Sequence, residues 1–115
     1  MPVVETDVSQ YQACIDECNH CMQICEECFQ SCLKEPDLNA RTKCISMLKD
    51  CYDICSTASR FMAANSQHAK DICGVCAMIC DSCANECAMF QDSHCQQCAA
   101  ECRKCASMCR EMSYK

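Results

Sequence analysis

The residues of this chain that could do chemistry are thiols, and they recur at intervals of three and four. One run is Cys14, Cys18, Cys21, Cys25, Cys28 and Cys32. Later runs are Cys73, Cys76, Cys80, Cys83 and Cys87, then Cys95, Cys98, Cys102, Cys105 and Cys109. A sparser set, Cys44, Cys51 and Cys55, lies between them. Of 115 residues 19 are cysteine, forming six C-x-x-C and eight C-x-x-x-C pairs that interlock. A lone C-x-x-C is shared by redox motifs and zinc knuckles. Interlocked pairs on four helical faces point instead to a metal-binding core. Cysteine as inert filler would need a reason to reject Leu, Ile and Ala at nearly every seam position of three helices.

Thiolates select soft ions: Cu(I), zinc, or iron in sulfide clusters. Each binding thiol must lose its proton, so a filled core would hold on the order of nineteen negative charges, and uncompensated buried charge is very costly. A monovalent ion at about one per thiolate brings the interior near neutrality. Zinc in four-thiolate tetrahedra would take only about four ions and leave each site near −2. Cu(I) also accepts two or three sulfurs, which i,i+3 and i,i+4 pairs supply. Multiple Cu(I) ions per chain are therefore the expected cargo, with iron–sulfur or zinc–thiolate binding as the alternatives. Iron–sulfur ligands usually sit on loops wrapping a cluster, which would make the helical period here a coincidence. Metallothionein-like chains rely on C-x-C pairs, and this sequence has none.

The thiol spacing averages about 3.5 residues, the repeat of the buried seam of a helix bundle. With one Gly, two Pro and no Trp, the composition favours long helices and short links. Four amphipathic segments are expected, at roughly 8–34, 40–64, 67–89 and 94–112. Thr6 or Asp7 should cap the first, Asp37 or Asn39 the second and Ser66 the third. Glu35 before Pro36 should stop the first helix. Short connections force antiparallel neighbours. The expected fold is all-α: a single domain over 1–115, an antiparallel up-down-up-down four-helix bundle with a cysteine-lined core. The second helix is the odd one, its seam reading Cys44, Leu48, Cys51, Cys55, Ala58, Met62. Ile15, Met22, Ile24, Phe29, Ile45, Met47, Ile54, Phe61, Ile72, Ile79 and Met108 flank the seams as ordinary packing. The segments CNHCMQICEECFQSC and CGVCAMICDSCANEC align cysteine for cysteine, which fits either an old hairpin duplication or two helices sharing one seam.

A net charge of −6 gives no basic stripe for nucleic acid. No stretch approaches the ~18 apolar residues of a membrane span. The first residues have neither a signal-peptide pattern nor a twin-arginine pair, so the expected location is the cytoplasm, where thiols stay reduced. Disulfides are the weaker reading, because helical i,i+3 and i,i+4 neighbours sit about 5–6 Å apart at Cβ and a disulfide needs about 3.5–4.5 Å. No catalytic constellation stands out, and the seams carry thiols where a carboxylate di-iron bundle needs inward Glu. No enzyme is expected.

Alternating helix directions gather Asp7, Tyr11, Met62 and Met112 at one end, with His68 nearby. Thioether sulfur suits Cu(I) without deprotonation, so Met62, Met112 and His68 are candidate entrance ligands passing ions to Cys14 and Cys73. The other end gathers Cys32, Cys44, Cys87, Cys95 and Phe90, with Arg41 and with His94 as a further candidate ligand. His20 should face solvent. Met78 and Met89 fall outside the seams, which would suit a subunit interface, although scattered surface apolar residues are normal.

In these features the chain resembles the cytosolic copper storage proteins: four helices, interlocked inward cysteine pairs, and a cysteine-poorer second helix. The resemblance spans essentially the whole length. It implies a bundle filled along its axis with many Cu(I) ions, every cysteine above as a candidate ligand, and a homotetramer. Copper ions, and a copper donor or acceptor protein, are the implied partners, with no nucleic acid and no membrane.

Overall fold

The computed structural model describes residues 9–115. Four helices follow in order: α1 (Gln12–Leu33), α2 (Thr42–Ala63), α3 (Ala69–Cys87) and α4 (Ser93–Ser113). Single 3-10 turns, Ser9–Tyr11 and Leu38–Arg41, lead into α1 and α2. Each helix packs on the next, and α4 closes back on α1. The result is the expected up-down-up-down bundle, a rod of 49 × 24 × 17 Å. Among the described residues no helix is long and apolar enough to cross a membrane.

The helices fall within a few residues of the expected spans, and the shifts have local causes. After α1 the backbone tightens, with Glu35 N–H donating to the Cys32 carbonyl (3.1 Å) just before Pro36. At the end of α2, Asn65 takes a left-handed φ of 51°, which Asn tolerates better than most residues. Ser66 N–H then reaches back to the Phe61 carbonyl and Asn65 N–H to that of Met62, both at 3.0 Å. This double closure satisfies carbonyls that a helix end would otherwise leave unpaired.

The expected caps come out differently. Thr6 and Asp7 lie outside the described residues. The residue preceding α2 is Arg41, and no side chain caps that helix. Asp37 accepts instead from the Arg41 Nε at 2.6 Å. Ser66 stands two residues ahead of the α3 cap position, His68, and its Oγ accepts the His68 N–H at 3.0 Å. Asp92 occupies the α4 cap position without a side-chain capping bond, because its carboxylate also goes to Arg41, at 2.5 Å. Two acids suited to capping are thus both taken up by one buried guanidinium.

The core is the thiol seam. On α2 the buried residues are Cys44, Leu48, Cys51, Cys55, Ala58 and Met62, the seam read from the sequence. Alanines complete the packing on α3 (Ala69, Ala77, Ala84) and α4 (Ala99, Ala106). Of the flanking residues, Ile15 and Ile24 are buried and the other nine pack half-buried against the core.

Candidate metal centre

All 19 thiols are buried and none is in a disulfide. They line the bundle axis as a ladder whose rungs run between helices. Near one end Cys14 and Cys18 meet Cys109 at 3.7 and 3.6 Å. Midway, Cys51 lies 3.5 Å from Cys80 and 3.8 Å from Cys102, and Cys55 lies 3.8 Å from both Cys76 and Cys80. Further along, Cys25 meets Cys102 and Cys98 at 3.8 and 3.9 Å. Cys44 meets Cys87 at 3.6 Å, and Cys32 meets Cys95 at 3.8 Å. These are contact distances, well beyond the ~2.05 Å of an S–S bond.

The sulfurs also converge in fours. Within 4.8 Å of one another lie Cys18, Cys76, Cys105 and Cys109; Cys21, Cys55, Cys80 and Cys105; Cys21, Cys25, Cys51 and Cys102; and Cys25, Cys83, Cys98 and Cys102. Cys21, Cys25, Cys102 and Cys105 each belong to two of these groups. Every helix contributes, because the interlocked spacing turns a sulfur toward the axis once per turn.

The ends differ. At the end holding the start of α1 and the finish of α4, Met62 is fully buried and Met112 half-buried against the core. A surface cleft of about 220 Å³ there is lined by Gln10, Ala13, Cys14, Met108, Glu111, Met112 and Lys115. His68 does not join the thiols: its ring is 62% exposed and turns to Asp71, 3.4 Å away. At the other end His94 does join them. Its Nδ1 lies 3.5 Å from the sulfurs of both Cys28 and Cys95, and its Nε2 lies 3.3 Å from Glu35. Cys28, Cys32, His94 and Cys95 form a mixed group of four. Arg41 covers that end, 4% exposed, directing Nη1 at Cys95 (3.5 Å) and Cys32 (3.8 Å) and stacking its guanidinium 4.5 Å from the Phe90 ring centroid.

Electrostatics keeps the metal-free thiols mostly protonated. Burial, followed by the neighbouring Cys32, pushes Cys95 up to about 12. Cys102 is raised, first by the contact with Cys21, and Cys80 by that with Cys105. Cys18, Cys21 and Cys98 are lowered by hydrogen bonding with neighbouring thiols: Cys105 first for Cys18, and Cys102 first for the other two. An anion in the ladder would need S–H donors around it that themselves stay neutral. A thiophilic cation removes that competition by replacing the protons.

One buried acid was not anticipated. Glu17 on α1 is 6% exposed, and its Oε2 is the orphaned buried side-chain polar atom among the described residues. Its Oε1 lies 3.4 Å from Lys104 of α4. The spacing Glu17-x-x-His20 is legible, but only the rotation of α1 against α4 shows that the carboxyl is covered.

A closed antiparallel bundle whose axis is a continuous column of buried thiols is a container for soft metal ions. The chain belongs to the copper storage protein family, whose model matches residues 7–114. It is 41% identical over 93 residues to the uncharacterized cysteine-rich protein YhjQ of Bacillus subtilis (strain 168), covering 80% of this chain and 86% of that one. Its structure is similar to that of the Cu(I)-bound copper storage protein BsCsp3, with a TM-score of 0.86 and 41% identity, over 90% of this chain and 97% of that one. A cytosolic copper storage protein from Streptomyces lividans, carrying five coppers, gives a TM-score of 0.87 at 33% identity, over 95% of this chain and 96% of that one.

Proposed function

We propose that residues 1–115 form one copper-holding domain that stores Cu(I) as thiolate complexes along the bundle axis, with all nineteen cysteines as ligands. The observation that carries this reading is the unbroken ladder of sulfurs at 3.5–4.0 Å. A singly charged thiophilic ion fits it on charge and on coordination number. The four-sulfur groups share members, whereas separate zinc tetrahedra would each need four sulfurs of their own. His94 serves as an additional ligand beside Cys28 and Cys95. Met112, on the cleft that reaches Cys14, receives incoming ions, with Met62 behind it. The role is holding and release rather than catalysis. A cytosolic relative supports a cytoplasmic location, and the family resemblance supports a homotetramer that exchanges copper with donor or acceptor proteins.

Anaerobic titration of the fully reduced protein with Cu(I) tests the reading. The expected plateau is on the order of one ion per cysteine, with ultraviolet absorption and no visible colour. A plateau near about four ions, or a brown product containing iron and sulfide, rejects it.

A further inference from the structure

We infer that Glu17, His20 and Glu101 form a second metal site, separate from the thiol column, for one divalent cation of the Zn2+ type in the groove between α1 and α4. Glu17 and His20 stand three residues apart on α1 and so share a face of that helix. Glu101 lies across the groove on α4, its Oε2 3.1 Å from the His20 Nδ1. The Glu101 carboxyl is near enough to act on Glu17 electrostatically, and the Glu17 Oε2 is sealed from solvent with no hydrogen-bond partner.

Two carboxyl groups this close can both be ionised only beside a cation. The one at hand is Lys104, whose side chain is 63% exposed and which reaches only the Glu17 Oε1. A divalent ion would supply the missing partner to the orphaned oxygen and bring two carboxylates and a neutral imidazole to zero net charge. Oxygen, oxygen and imidazole nitrogen suit Zn2+, which binds carboxylate and histidine readily. They do not suit Cu(I), which prefers the sulfurs. His20 is 52% exposed, which leaves a path for entry and room for a bound water. The site would staple α1 to α4, a pair that no loop joins directly.

The test is equilibrium dialysis of the copper-filled protein against Zn2+ under anaerobic conditions, with zinc counted and its X-ray absorption recorded. We expect about one Zn2+ per chain with an oxygen and nitrogen shell near 2.0–2.1 Å rather than sulfur near 2.3 Å. Glu17→Gln and His20→Gln should each weaken retention by about tenfold or more, while Glu26→Gln, elsewhere on α1, leaves it unchanged. Both glutamines are close in size to the residues they replace, and circular dichroism checks that the helices persist. In the copper-free protein the same comparison reads as the loss of the oxygen and nitrogen component of the zinc spectrum, so the outcome does not depend on copper filling. Absence of zinc from the filled wild-type protein, an all-sulfur shell, or equal retention in Glu17→Gln would overturn the site.

Discussion

At the scale of residues, burial decides what each polar group does. The metal-free Glu17 carboxyl is pushed up to about 8 from an ordinary value of 4.5, first by burial and then by Glu101, with Lys104 opposing. The folded chain therefore holds this proton more tightly than the unfolded chain. The resulting stabilisation is complete below 4.5 and is lost as pH rises through 8. The groups facing Glu17 are Glu101 and Lys104 of α4, with His20 beside Glu101. Glu17→Gln cannot titrate, so its thermal midpoint relative to wild type should rise between about pH 5 and pH 8. Scanning calorimetry of the reduced, metal-free protein with chelator present checks this, and a pH-independent difference contradicts it. Glu17 is the residue least legible in the sequence, whereas Arg41 is placed at the thiol end by the helix directions and only its burial is not. Both are ordinary surface types by composition, and both are buried only because two or more helices meet over them.

At the scale of elements, the seam was legible almost residue by residue, because a 3.5-residue repeat fixes which positions face inward once the segment is helical. The six seam positions of α2 are the six that the structure buries. Helix starts were less legible. Asp37 and Asp92 have the chemistry of caps, yet a long-range partner, Arg41, outcompetes the local backbone amides for them. His68 precedes α3, and local pairing with Asp71 turns its ring outward, away from the candidate entrance. His94, by contrast, lies in the first turn of α4 and its ring meets Cys28. For the methionine end, Met62→Leu with Met112→Leu keeps the packing volume nearly constant and removes thioether sulfur. Stopped-flow loading with Cu(I) should slow by several-fold while final capacity stays the same. Unchanged rates would assign both residues to packing alone.

At the scale of the whole molecule, ordinary hydrophobic burial holds the rod together before any ion arrives. Ile15, Ile24, Leu48, Met62 and the core alanines are buried, and a protonated thiol behaves as a small hydrophobe. Removing this surface from water stabilises at about 25 cal/mol per Å². The reduced, metal-free protein should therefore show a strongly helical circular dichroism spectrum and a cooperative melt, unlike small zinc domains that fold only on binding. A coil spectrum would contradict this. Exposed Met78 on α3 and Met89 in the turn after it, at 62% and 68%, lie outside the seams, as expected from the sequence. Because Cys21, Cys25, Cys102 and Cys105 each serve two neighbouring groups, the column has no compartment walls. If Cu(I) fills the column as proposed, an arriving ion would share ligands with the next group, and partial loads would merge into one another. A half-filled molecule would then be a family of arrangements interconverting by exchange of one sulfur at a time, with cargo moving along the axis as a relay instead of detaching.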